Sequence, residues 1–139
     1  MTDETFACGA RMGSLALGAT FPIFQYLFMP ATWGVVPHGA EIGYVFQAEW
    51  LKGKDDRDLA AQMLAMWVAF AATGKPTSTS VEDIDAVTWP RFDPAKDGPY
   101  LQLNVASAGG LKTATRFRAH ACESFWDVFI ERKLKGPAQ

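Results

Sequence analysis

The chain has 139 residues, of which 49% are apolar and 20% charged, and its net charge at neutral pH is -2. This composition is typical of a globular protein and excludes a disordered tail. Because basic residues do not outnumber acidic ones, nucleic acid is not expected as a partner. The longest apolar region, residues 12–36, is interrupted by glycine and proline, so no membrane span is predicted. The acidic opening MTDETF does not have the pattern of a targeting peptide.

A helix and a buried strand are predicted in the first thirty residues or so. The helix begins near the capping residue Thr2 and ends near Gly18, with apolar side chains at helical spacing between them. The run FPIFQYLF, residues 21–28, is almost continuously apolar, which is typical of a strand buried on both faces of a parallel sheet. Pro30 ends this strand, and a connection then leads to His38.

The clearest helical pattern occupies residues 58–74 and ends at a glycine. Residues 77–85 are polar and are predicted to form an exposed loop. Short strands are predicted at residues 100–105 and 111–113, followed by a last helix over about 116–133. The aromatic side chains at helical spacing in the two long helices are interpreted as packing rather than as a substrate pocket: Trp67, Phe70, Phe125 and Phe129.

His38 is the main candidate for chemistry. It follows the predicted buried strand, and the working groups of open α/β sheets lie on loops that leave the carboxyl ends of strands. Pro37 restricts the backbone before it and Gly39 frees the backbone after it, which favours a side chain held in one direction. A lone loop histidine is more often structural or solvated than catalytic, and the residues alone leave that alternative open. His120, inside the last predicted helix, is assigned a surface role.

The segment WGVVPHGAEIGYVF, residues 33–46, resembles the sequence around the active-site histidine of the type B carboxylesterase family, which includes the cholinesterases. Further segments resemble that family in the same order along the whole chain: TDETFACGARMGSLA, FPIFQYLF, LAAQMLAMWVAFAATGKP, WPRFD, YLQL and ACESFWDVF. The resemblance implies an α/β class, namely the C-terminal portion of an α/β-hydrolase fold with its last sheet strands and packing helices, incomplete alone. Residues 1–139 would then be one segment of a hydrolase domain, with no second domain.

The resemblance also implies a serine carboxylesterase in which His38 is the general base and acid of a Ser-His-Glu/Asp triad. In this fold the serine precedes the histidine and lies in a G-x-S-x-G elbow, and no such elbow precedes His38. The segment VASAGG imitates the elbow, but Val105 replaces its first glycine and it follows the histidine, so Ser107 is rejected as the nucleophile. Serine, acid and oxyanion hole are expected outside this chain, which alone is predicted to be inactive.

The expected partners are therefore a small-molecule ester and the missing N-terminal part of the hydrolase, or a second chain that carries it. No metal and no cofactor are predicted, and neither nucleic acid nor a membrane is expected as a partner. The alternative function is a non-catalytic, cholinesterase-like binding or interaction module, which keeps the fold without a working triad.

Glu41 lies three residues after His38. In the family pattern a glutamate occupies this position in addition to the triad acid, so the resemblance implies a second-shell role near the histidine. The chain departs from the pattern at Gly43 and Gln47, where the family usually has proline and glycine respectively.

Cys8 and Cys122 are the only cysteines. Composition alone leaves two free buried thiols as an open alternative to a bridge. The resemblance implies a disulfide between them, because both fall where cholinesterase-like members place the two ends of one. A bridged chain would be secreted or extracellular, and an unbridged chain would be cytoplasmic.

Overall fold

The computed structural model describes residues 6–30, 34–76, 88–96 and 98–124. Its helices and strands follow one another as α1 (Cys8–Leu17), β1 (Tyr26–Phe28), α2 (Ala40–Val45), α3 (Lys54–Thr73), β2 (Tyr100–Leu103), β3 (Lys112–Ala114) and α4 (Ala119–Cys122). They form two compact units, one with α1 and α4 and the other with β1, α2, α3, β2 and β3. In the described ranges, no helix has the length and apolar character that a bilayer crossing requires.

The three strands form one mixed sheet in the order β1-β2-β3, with β1 parallel to β2 and β2 antiparallel to β3. In the parallel pair Tyr26 lies beside Leu101, and side chains that are paired in this way point to the same face. The ring of Tyr26 meets that of Trp67 on α3 at 5.2 Å between centroids, so α3 covers this face. A small mixed sheet with helices is compatible with a piece of an α/β-hydrolase.

The strand predicted over residues 21–28 is shorter than expected. Only Tyr26–Phe28 pairs with β2, and Phe21 is 55% exposed. The expectation of a strand buried on both faces is therefore wrong for its first half. The apolar run is continuous in sequence, but its first residues lie before the sheet begins.

Helix α3 packs on α2 and carries the main core of the sheet unit. It begins at Lys54, four residues before the predicted start, with Asp55 and Asp56 in its first turn, where carboxylates oppose the positive end of the helix dipole. It ends at Gly74, which adopts the left-handed backbone conformation expected of a terminating glycine. Its buried residues are Leu59, Ala60, Met63 and Met66. Trp67, interpreted from the sequence as a packing residue, is half-buried, whereas Phe70 is 47% exposed although its ring contacts Phe24.

Helix α2 was not predicted from the sequence. It has only six residues, among them the strand-favouring Ile42 and Val45 and the helix-weakening Gly43, so local propensity opposes it. Tertiary contacts made by Tyr44, which is fully buried, hold it in place.

In the unit that contains α1 and α4, a disulfide links Cys8 on α1 to Cys122 on α4, with 5.4 Å between the two Cα atoms. Both cysteines are buried, and the bridge that the family resemblance implied is confirmed. Nearby, Glu123 accepts hydrogen bonds from Arg11 at 2.8 Å and from Arg116 at 3.1 Å. The predicted helix over residues 116–133 is described only at its start, as α4, and its part from 125 onwards lies outside the described residues, as do Thr2 and the loop at 77–85.

Candidate active site

His38 lies in the tight turn that leads into α2, and its side chain is exposed. The N–H of Ala40 donates to the carbonyl of Pro37 at 3.2 Å and closes the turn around the histidine. Gly39 stands at the start of the helix with a φ of +80°, a conformation in which a Cβ is disfavoured. A glycine directly after the histidine therefore lets the chain reverse into α2 and leaves the imidazole at the surface of the sheet unit.

Tyr44 anchors this helix. Its hydroxyl donates to Asp56 Oδ1 at 2.6 Å, and its ring meets that of Phe28 at 4.9 Å in an edge arrangement. A fully buried tyrosine with a charge-assisted hydrogen bond resists movement, because displacing it would leave polar atoms without partners. The turn that carries His38 is thus fixed to both β1 and α3.

Glu41 lies in the first turn of α2 and is half-buried. Burial raises the pKa of Tyr26 above its ordinary value, and the negative charge of Glu41 raises it further. The charge of Glu41 therefore acts on a side chain of β1. A negative group held here, three residues from His38, is suited to orienting neighbouring polar groups.

Ser107 lies in a short 3-10 turn, Ala106–Ala108, between β2 and β3. Its N–H donates to Asp55 Oδ2 at 3.2 Å, and hydrogen bonds from its side chain and backbone lower the pKa of Asp55. Because the pKa of Asp55 is lower in the folded chain than in the unfolded chain, these hydrogen bonds stabilise the fold at any pH above the ordinary carboxyl pKa. The stabilisation is lost as the pH falls through the pKa that Asp55 has in the folded chain. A nucleophile elbow needs a strand, a sharp turn and then an α-helix, which differs from the setting of Ser107.

Three apolar residues in the segment that carries His38 are exposed. Val35 is 81% exposed, Ile42 on α2 is 57% exposed, and Phe46, which directly follows α2, is 78% exposed. A short amphipathic helix normally buries its apolar face. Here Ile42 on α2 is exposed, and its Cδ1 lies 3.5 Å from the position of a Cβ at Gly39, the residue after the candidate base.

The two departures from the family pattern have structural reasons. A Cβ at residue 43 would come within 2.1 Å of Cζ2 of Trp50, so Gly43 admits the indole against the helix. Gln47 has a φ of +50°, in the left-handed region, where the glycine usual at this position would be unstrained.

Replacing Gln47 by glycine is expected to stabilise the chain by about 0.5–1 kcal/mol. The strain that is relieved when a left-handed backbone position loses its Cβ is larger than the free-energy cost of the extra conformational entropy that glycine gives the unfolded state. The midpoint of urea unfolding measures the change. Gln47→Ala is the matched control, since it removes the same exposed side chain and keeps the Cβ. Equal midpoints for the two variants would contradict the explanation.

Sequence reasoning proposed His38 and Glu41 as site residues and did not anticipate the contacts that hold the segment in which they lie. Tyr26 and Tyr44 lie in segments that resemble the family, but the resemblance did not indicate their contacts with Glu41 and Asp56, which join separate parts of the chain. Within the described residues, no group of histidine, cysteine and acidic side chains is arranged to bind a metal ion.

Comparison with known proteins gives a consistent result. The sequence profile described as "Carboxylesterase family" matches residues 1–126. The chain is 33% identical to carboxylesterase 4A of Bos taurus over 67% of this chain and 18% of that protein. It is 32% identical to acetylcholinesterase of Bungarus fasciatus over 81% of this chain and 19% of that protein. It is 28% identical to carboxylesterase 3 of Homo sapiens over 82% of this chain and 21% of that protein.

The chain thus spans about a fifth of the length of the curated relatives it matches. The match to the family covers nearly all of its own residues, including the turn with His38 and both bridged cysteines. The chain therefore belongs to the carboxylesterase family.

Proposed function

We propose that residues 1–139 are the C-terminal segment of a single serine carboxylesterase domain and that His38 is its general base and acid. The observation that carries the proposal is the exposed imidazole at the head of α2, in a turn closed by Pro37 and Ala40 and followed by left-handed Gly39. His38 lies in residues 33–46, the segment that resembles the sequence around the active-site histidine of the family. A base must be reachable by a serine from elsewhere, and an exposed, anchored histidine meets that need.

In the proposed reaction, His38 takes the proton of a serine hydroxyl as the serine oxygen attacks the carbonyl carbon of the ester. The imidazolium then gives this proton to the departing alcohol, and an acyl-enzyme remains. His38 next takes a proton from water, whose oxygen attacks the acyl carbon, and returns that proton to the serine as the carboxylic acid leaves. Each half-reaction leaves the histidine neutral at its end.

Serine, triad acid and oxyanion hole are proposed to come from a part of the hydrolase outside these 139 residues, on the same polypeptide or on a second chain. The exposed apolar side chains of Val35, Ile42 and Phe46 support this, because exposed apolar groups in the segment that carries the base are suited to contact with another part of the enzyme that excludes water. Glu41 is proposed to hold polar groups around the site, near Tyr26, rather than to pair with His38 as the triad acid.

The disulfide favours an oxidising compartment for the folded chain. We therefore propose a secreted or extracellular location. Measurement of free thiols in the protein purified from its native source, under denaturing conditions and without reductant, tests this. Two free thiols per chain would contradict it.

The purified chain is expected to show no turnover of a short-chain p-nitrophenyl ester above that of its His38→Ala variant. Refolding it with the N-terminal part of a carboxylesterase-family protein, cut immediately before the matched region, is expected to produce turnover that a serine-reactive organophosphate abolishes. If the chain alone turns over the ester and His38→Ala abolishes this turnover, the proposal that serine and acid lie outside these 139 residues is wrong. A complex that forms without turnover would favour the binding-module alternative.

A further inference from the structure

A cavity of about 540 Å³ lies where the chain passes from α2 to α3. Its volume is typical of small-molecule sites, which measure about 300–1,000 Å³. The connection between the two helices and the first turns of α3 line it, all within the sheet unit, with residues that include Gln47, Lys52, Arg57 and Ala60. His38 and the rest of its turn are not among the described lining residues, so the cavity is distinct from the proposed active site.

The floor of the cavity, formed by its buried lining residues, is apolar. Leu51 and Ala60 are 5% and 1% exposed, and Ala48, which also lines the cavity, is half-buried. The N–H of Ala48 donates to the carbonyl of Gly43 at 2.8 Å, and that of Leu51 donates to the carbonyl of Ala48 at 3.0 Å. These hydrogen bonds order the connection before a ligand arrives. An apolar group that binds on this floor leaves water, which is favourable.

Two cationic side chains line the same cavity. Both Lys52 and Arg57 are exposed, and Nη1 of Arg57 donates to the backbone carbonyl of Lys52, which holds the guanidinium close to the connection. Within the described part of the chain, neither side chain takes part in a salt bridge, whereas the nearby Lys54 is paired with Asp58 at 2.5 Å. The cavity therefore has two positive charges that are available to a ligand.

The sequence explains why Arg57 has no acidic partner on its own helix. Side chains interact along a helix at spacings of three and four residues. None of the residues at these spacings is acidic: Gly53, Lys54, Ala60 and Ala61. Glu49 is the one acidic group among the described lining residues, and it offsets only one of the two cations. The cavity is therefore suited to a ligand with a single negative charge.

Gln47 adds a polar group to the cavity at a cost to the fold. Its exposed side chain lines the cavity, and its φ of +50° is a left-handed conformation that glycine adopts without strain. The glycine usual in the family would present no side chain here. Backbone strain of this kind is concentrated at functional sites and ligand clamps. The amide of Gln47 offers two N–H donors to an anion, so the strained residue is one that a ligand can use.

We propose that this cavity is a binding site for a small organic carboxylate with a short apolar tail. The carboxylate lies between Arg57 and Lys52, because the planar guanidinium matches a carboxylate with parallel hydrogen bonds and the ammonium adds a second charge. The amide of Gln47 donates to the same group, and the tail lies on the apolar floor. This inference goes beyond the proposed function and does not depend on it, because the site uses no residue of the triad.

Titration of the purified chain with sodium hexanoate, followed by residue-resolved amide chemical shifts, tests the site. Saturating shifts are expected at residues 47–52 and 57, with a dissociation constant of about 10 mM or less. Sodium chloride at equal ionic strength is the reference. Hexanamide has the same length without the charge and should bind at least ten-fold more weakly. Absence of saturation with hexanoate, or equal binding of hexanamide, would overturn the proposal.

Charge variants locate the carboxylate. Arg57→Gln and Lys52→Gln are each expected to weaken hexanoate binding at least five-fold, because each removes one of the two cations. Lys75→Gln is the matched control, since Lys75 is an exposed lysine beyond the other end of α3 and does not line the cavity. Its binding should change less than two-fold. An equal loss in all three variants would show attraction by overall charge and would overturn the site.

Gln47→Gly separates binding from folding. This variant is expected to raise the urea midpoint, as argued above, and at the same time to weaken hexanoate binding at least three-fold. A loss of affinity in a more stable chain cannot come from unfolding, so it would assign the amide to the ligand. Hexanoate binding that is unchanged in Gln47→Gly would overturn the role of Gln47.

Discussion

Alanine at residue 38 is expected to lower kcat by about 10⁴-fold or more in an esterase that combines this segment with its serine and acid. The serine hydroxyl then has no base to take its proton, and the departing alcohol has no acid to supply one. Only the oxyanion hole and substrate binding would support the remaining rate. Because the His38 side chain is exposed, the urea midpoint of the variant should stay close to that of the parent. Initial rates with saturating p-nitrophenyl ester give kcat directly.

Two further variants separate catalysis from general damage. Ser107→Ala is expected to keep kcat within about two-fold, since Ser107 bonds to Asp55 and lies outside the proposed site. Glu41→Gln keeps the size of the side chain and one acceptor oxygen but removes the charge near Tyr26, and its effect on kcat should fall between those of the other two variants. An inactive Ser107→Ala variant with an active His38→Ala variant would reverse the assignment made here.

Loss of the Cys8–Cys122 bridge is expected to destabilise the chain by about 3–5 kcal/mol. The two cysteines are 114 residues apart, so the bridge removes much of the freedom of the unfolded chain. Alanine at both positions is the preferred variant, because both sulfurs are buried and serine would add hydroxyls without assured partners. Urea unfolding followed by tryptophan fluorescence measures the loss.

Reduction provides the control for this second prediction. The parent chain unfolded in the presence of a thiol reductant should have nearly the same midpoint as the double alanine variant. Both should fall well below the oxidised parent. A difference below about 1 kcal/mol between oxidised and reduced parent would show that the bridge does not limit the unfolded state as the chain-entropy account requires.

Features with strong local signals could be predicted from the sequence. Helix α3 has an apolar stripe and the terminating Gly74, and β2 and β3 lie within one residue of the predicted starts. The cysteine pair could be predicted because both residues lie in segments that resemble a family pattern, and the role of His38, which rests on the same kind of resemblance, stays a prediction. In these places the information lies within a few neighbouring residues.

The remaining features depend on contacts between distant residues. α2 forms against its own propensities because Tyr44 reaches Asp56 and Phe28, and strand β1 is short because pairing, rather than apolarity, sets its bounds. The hydrogen bonds that join Ser107 to Asp55 link residues 52 positions apart, so the VASAGG sequence alone could not indicate them. No periodicity encodes such contacts.

The close approach of Trp50 to Gly43 also restricts how this sequence can evolve. A side chain at residue 43, including the proline usual in the family, would occupy the space of the indole, so it requires a smaller or displaced residue at 50. The order of mutation therefore matters: a change at 50 opens the way for a change at 43, whereas the reverse order passes through a steric clash. Among homologues, these two positions should vary together, and a lineage with tryptophan at 50 in this packing should retain glycine at 43.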